Sequence, residues 1–136
     1  MLPIETASIL VTDDDADFRS AICNVLSPRF HTLQAASGEE AVRIVLTQPI
    51  HLLMLDMHMP KWTGLETLRR VKKFRQELPC ILLSAALDEH MKHQAELAAA
   101  FSVLAKPVSV DVLNSTIDRA FRLAYASWYQ DGASGS

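Results

Sequence analysis

The stretch IHLLMLDMHMPKWTGLE, Ile50–Glu66, decides the fold of this 136-residue chain. It opens with a largely apolar run, Ile50–Leu55, broken only by His51, that lacks the alternation of a strand with one wet face. Such a run reads as a strand buried on both sides, the kind found inside a parallel sheet. It ends on a carboxylate, Asp56, and Met57, His58, Met59, Pro60 and Gly64 follow. An acid at the tip of a buried strand is costly unless it is used. The question is what stands beside it.

The flanking sequence repeats the pattern. Strand-like runs occur at Ser8–Thr12, His31–Ala36, Cys80–Ala85 and Ser102–Ala105. The segments between them have helical period and their own start signals. Ser37 with Glu40 and Thr63 with Glu66 fit capping boxes, while Asp88 and Ser109 fit N-caps. Pro28, Pro49 and Pro79 fall where a helix must already have closed. In the last helix Leu113, Ile117, Ala120, Ala124 and Trp128 recur at helical spacing and are expected to face the sheet in at least its first part, and the aromatic cluster Phe121, Tyr125, Trp128 and Tyr129 reads as part core and part exposed patch. Five strands alternating with five helices through short loops predict one doubly wound α/β domain, with helices on both faces of a parallel sheet. Residues 6–125 are assigned to it, and 126–136 to the end of the last helix and a flexible C-terminal tail.

Composition narrows the function. Hydrophobic residues make up 49% and charged ones 21%, and a formal net charge of -3 is too mild to imply nucleic acid or a membrane surface as partner. The basic run RRVKKFR, Arg69–Arg75, reads as the wet face of one helix. No apolar run nears the roughly 20 residues that span a bilayer, and the first residues lack a secretion signal, so a cytoplasmic location is expected. Cys23 and Cys80 form no short-spacing motif and read as buried thiols.

In doubly wound folds ligands sit outside the carboxyl ends of the strands. The first strand ends in Asp13, Asp14 and Asp15, the third in Asp56, and the fifth in Lys106 followed by Pro107. Ser84 lies near the end of the fourth. Carboxylates this close repel one another, and a hard divalent cation removes that cost. Magnesium suits such a site, because it takes a few carboxylate oxygens and keeps waters or phosphate oxygens. Cation, ammonium, hydroxyl and one reachable carboxylate together match the needs of phosphoryl transfer. The bland readings are weaker. An acidic first turn suits Asp15 and Asp17, a soft copper site around Met54, Met57, His58 and Met59 conflicts with a core Met54, and His90 with His93 reads as an exposed helical face.

The motifs ILVTDDD, LLMLDMHMPKWTG, ILLSA and LAKP together resemble a response regulator receiver domain of two-component signalling, over about residues 6–125. The resemblance implies a flavodoxin-like sheet of order 2-1-3-4-5 and a bound Mg2+. Asp56 resembles the phosphoacceptor. Asp14 and Asp56 would contact the metal directly, Asp13 through water, and the backbone carbonyl of His58 would be a further ligand. Ser84 takes the place of the switch hydroxyl, and Lys106 that of the phosphoryl-contacting lysine. The implied partners are a sensor histidine kinase or phosphotransfer protein and a downstream protein or fused output domain, with neither nucleic acid nor membrane bound by this domain. A homodimer is left open. The only chemistry implied is self-directed, acceptance of a phosphoryl group and its later hydrolysis. The rival readings are a pseudo-receiver scaffold that never turns over phosphate, and a phosphatase acting on an external substrate.

The chain also departs from the family pattern. Val103 stands where an aromatic residue is usual, and Phe101, of the same strand parity, is expected to replace it. The usual glycine before the fifth strand is lost within Ala98–Phe101, so that loop is expected to be shaped differently. His58 is bulkier than the common choices, and His58→Ala is expected to change the lifetime of the phosphorylated form more than its rate of formation.

Overall fold

Strands and helices alternate without exception: β1 (Ser8–Thr12), α1 (Ala16–Leu26), β2 (His31–Ala35), α2 (Gly38–Thr47), β3 (Leu52–Asp56), α3 (Gly64–Lys72), β4 (Cys80–Ser84), α4 (Glu89–Leu97), β5 (Ser102–Ala105) and α5 (Val110–Ala124). These elements come from a computed structural model that describes residues 7–126. All strand pairings are parallel and the order is β2-β1-β3-β4-β5. Winding therefore reverses between β1 and β3, which opens a crevice at their carboxyl ends.

β1, β3 and β4 are buried along their whole length, which accounts for their apolar interiors, with polar residues only at their ends. Successive side chains alternate between two cores. Ile9, Val11, Leu52, Met54, Ile81 and Leu83 pack against α1 and α5, whereas Leu10, Leu53, Leu55, Cys80 and Leu82 pack against α2, α3 and α4. The edge strands β2 and β5 are only partly covered.

Helix starts follow the expected chemistry. Thr63 and Glu66 form a complete capping box, and Asp88 and Ser109 cap α4 and α5. At α2 the Ser37 hydroxyl accepts from the Glu40 amide, but Glu40 reaches back one residue further, to the amide of Ala36, so the box is one-sided. Both cysteines are free and buried, and burial pushes the Cys80 thiol up to about 12. The basic run is only partly a wet face: Lys72 binds the carbonyls of Gln76 and Leu78, and Arg75 that of Ile50.

α5 follows the expected stripe in its first part and then shifts. Leu113, Ile117 and Ala120 face the core, beyond them Ala124 is exposed, and Phe121 is the fully buried member of the aromatic cluster. The inward stripe moves to the larger side chains. Phe121 stacks on Phe30 at 5.4 Å, and Tyr125 donates to the carbonyl of His51. Trp128 and the tail lie outside the described residues.

The loop before β5 corrects one expectation. The α4 C-terminus closes with the amide of Ala99 on the Glu96 carbonyl and that of Ala100 on the Ala95 carbonyl, and Ala99 has φ 65. This is the left-handed Schellman turn that glycine favours, held here by alanine. The loop thus keeps the glycine-type shape despite losing the glycine. Left-handed alanine is strained, so Ala99→Gly is expected to raise unfolding stability by about 1 kcal/mol. Thermal denaturation checks this, and an unchanged or lower midpoint refutes it.

Candidate functional site

Sheet register brings the site together. Thr12 pairs with Leu55, Asp56 with Leu83, and Ser84 with Ala105. Asp56 and Ser84 are the last residues of β3 and β4, while Asp13 and Lys106 directly follow β1 and β5. Four side chains spread over most of the chain thus line one edge of the sheet. The sequence reading had Ser84 one residue inside its strand; the shorter β4 puts it at the tip.

Asp13 is buried and fully engaged. One carboxylate oxygen accepts the Asp15 amide at 2.9 Å, the other accepts Lys106 Nζ at 2.7 Å, and its carbonyl accepts from Arg19 at 2.6 Å. Lys106 Nζ also lies 3.0 Å from Asp56 Oδ1, so one ammonium bridges two buried carboxylates. The same ammonium sits 4.1 Å from the centre of the Phe18 ring on α1. Burial works against the charged form of Lys106, but its bonds to Asp13 and Asp56 outweigh that and hold its pKa above the usual lysine value.

Asp56 behaves differently. Desolvation raises its pKa, the neighbouring Asp13 carboxylate adds to the rise, and Lys106 and the His58 amide oppose it without cancelling it. Asp14 is exposed, and no hydrogen bond holds its carboxylate among the described residues. Carboxylate oxygens of Asp13, Asp14 and Asp56 all lie within 4.8 Å of one another. That donor set is hard oxygen only and open on the Asp14 side, which fits a small hard cation and not a soft metal.

The loop after β3 is shaped around the acid. Gly64 donates its amide to the Met57 carbonyl at 3.1 Å, and a Cβ at Gly64 would collide with the carbonyl oxygen of Asp56. Met57 and Met59 are buried against the α2–α4 core, whereas His58 between them is exposed. His58 Nε2 lies 3.0 Å from Ser84 Oγ, which also accepts the Ala86 amide at 3.1 Å. The sequence assigns His58 a backbone carbonyl for the metal and a side chain that affects phosphoryl lifetime, but not this contact with Ser84, nor Phe18 beneath Lys106 or Arg19 on Asp13. These contacts come from neighbouring β/α loops and helix faces, and no local motif encodes them.

Phe101 does not replace the missing ring at Val103. It precedes β5, packs with Leu104 on the α1–α5 side, and lies beneath Arg119 at 5.4 Å. Val103 packs on the opposite, α4 side. Parity fails because Phe101 is in the loop and not in the strand.

A parallel sheet of this order, with acids, a hydroxyl and a lysine at adjoining strand tips, places the chain among doubly wound domains with an acidic site at the carboxyl edge of the sheet. The response regulator receiver domain family matches residues 9–118, and the chain belongs to that family, a signalling domain of two-component phosphorelays. It is 33% identical to response regulator RR06 of Streptococcus pneumoniae, over 91% of this chain and 59% of that protein. It is 29% identical to sporulation initiation phosphotransferase F of Bacillus subtilis, over 82% of this chain and 90% of that one. A receiver domain structure from Clostridium thermocellum superimposes with TM-score 0.83 at 30% identity, covering 90% of this chain and 99% of the other. The chain spans 59% of RR06 and 24% of the hydrogenase transcriptional regulatory protein HoxA of Cupriavidus necator. Among the described residues, no helix is long and apolar enough to cross a membrane.

Proposed function

We propose that Asp56 accepts a phosphoryl group from a phosphohistidine of a sensor kinase or phosphotransfer protein. An Asp56 carboxylate oxygen attacks phosphorus, the P–N bond of the donor breaks, and an acyl phosphate forms as imidazole leaves. Hydrolysis later returns the carboxylate and releases inorganic phosphate. The observation that carries this reading is the convergence of Asp13, Asp14 and Lys106 on one buried carboxylate at a strand tip.

Mg2+ is the cation proposed for the acidic cluster, held by Asp14, Asp56 and the His58 carbonyl, with Asp13 acting through water. Asp13 already spends both oxygens on Asp15 and Lys106, which supports an indirect role. When bound, the metal neutralises charge on the transferring phosphoryl oxygens. Lys106 supplies the second, fixed positive charge, and Ser84 supplies a hydrogen bond to the phosphoryl group. Phosphorylation then biases a protein-contact surface toward a downstream protein or fused output domain. Residues 6–125 form the signalling unit, the setting is cytoplasmic, and the chemistry is confined to the protein's own aspartate.

Mass spectrometry after incubation with acetyl phosphate and Mg2+ tests this. A single added phosphoryl group on Asp56, absent when the metal is chelated, is expected. No incorporation under any metal condition would favour a scaffold that works without phosphate.

A further inference from the structure

Ser84 is fully buried, and its hydroxyl has one proton and two lone pairs to place. The Ala86 amide takes one lone pair, and the imidazole of His58 holds the oxygen from the solvent side at 3.0 Å. Lys106 is meanwhile turned to Asp13 and Asp56. The hydroxyl and the ammonium that should meet on a phosphoryl group therefore rest on different partners. With one proton to give, the Ser84 hydroxyl can donate to His58 Nε2 or to a phosphoryl oxygen on Asp56, but not to both. His58 is exposed, so its ring nitrogen turns to water once the contact opens, and the opening costs no more than one neutral hydrogen bond.

We propose that His58 is a latch on the switch hydroxyl: its Nε2 contact holds Ser84 Oγ in the resting position, and the contact opens when Ser84 engages a phosphoryl group on Asp56. The His58 side chain is here a positioning group that reaches the acceptor site through Ser84, while its backbone amide and carbonyl keep the roles given above. This goes beyond the hydrolysis role expected from sequence and rests on Asp56 being the phosphoacceptor.

The test is the affinity for beryllofluoride, with Mg2+ present, of the intact chain and of His58→Ala, His58→Gln, Ser84→Ala and His58→Ala/Ser84→Ala. Removing the latch is expected to tighten binding by about threefold to tenfold, the range one neutral hydrogen bond sustains. His58→Gln, which keeps a polar nitrogen and oxygen to meet Ser84, is expected to bind like the parent chain. In the Ser84→Ala background, loss of His58 is expected to change nothing. Unchanged or weaker binding by His58→Ala overturns the latch, as does an equal gain without Ser84, which would mean that His58 merely crowds the mouth of the site. If the parent chain binds no beryllofluoride, the phosphoacceptor reading itself fails, and the latch falls with it.

Discussion

Asp56→Asn is expected to eliminate phosphoryl incorporation and, in the same protein, to stabilise the metal-free fold at neutral pH. The first effect is total because an amide offers no carboxylate to attack phosphorus, and no other acid at the strand tips is placed as Asp56 is. Asp13 is locked by hydrogen bonds, and Asp14 is exposed beyond the end of β1. The second effect follows from linkage. Desolvation, then the Asp13 charge, raises the Asp56 pKa above its unfolded value despite Lys106 and the His58 amide. The native state thus holds that proton more tightly than the unfolded chain does. The group's contribution is most favourable below the unfolded pKa and is lost as pH rises through the folded one. Neutral asparagine escapes this loss, while Lys106 keeps Asp13 as partner. The advantage over the parent chain should shrink as pH is lowered and when Mg2+ is added to the parent. Chelator-treated thermal melts across pH check it. A variant less stable than the parent at pH 7, or one that still gains phosphate, contradicts this account.

Lys106→Met carries the other large effect. It leaves the Asp13 and Asp56 carboxylates, almost wholly buried, without the ammonium that now lies 2.7 and 3.0 Å from them. Removing one partner of a buried charge set costs about 3 kcal/mol or more, because the remaining charges stay desolvated. The loss of the Lys106 contact with Phe18 adds a smaller part. Without Lys106 the Asp56 pKa should rise further, so the deficit should narrow as pH falls and narrow again with Mg2+. Lys106→Arg is not expected to restore the parent's properties, since a planar fork replaces a compact ammonium in a site packed against a ring. Denaturant unfolding at two pH values, with and without Mg2+, measures this. A change within the 0.5 kcal/mol typical of surface substitutions would show that the bridge is unimportant.

The linear order of residues was enough for much of this molecule. Buried parallel strands must be apolar on both faces, so β1, β3 and β4 were visible as largely apolar runs. Caps such as Thr63 and Asp88 act within three residues, so helix starts were visible too. Because a doubly wound parallel sheet sends all its strand ends one way, strand order alone places Asp13, Asp56, Ser84 and Lys106 on one edge. Short-range rules leave equal choices elsewhere. Ala124 and Phe121 both continue the α5 stripe, and packing against Phe30 chose the ring. Phe101 and Val103 share parity only if both are in the strand, and β5 starts between them.

What the chain order settled is therefore which residues reach the acceptor edge, since that depends on strand direction and period alone. What folding settled is how they are partnered there: Lys106 across two acids and over Phe18, Arg19 on the Asp13 carbonyl, and His58 on Ser84. Those contacts depend on side-chain directions and on distances between separate β/α units, which are fixed only when the two cores close on the sheet.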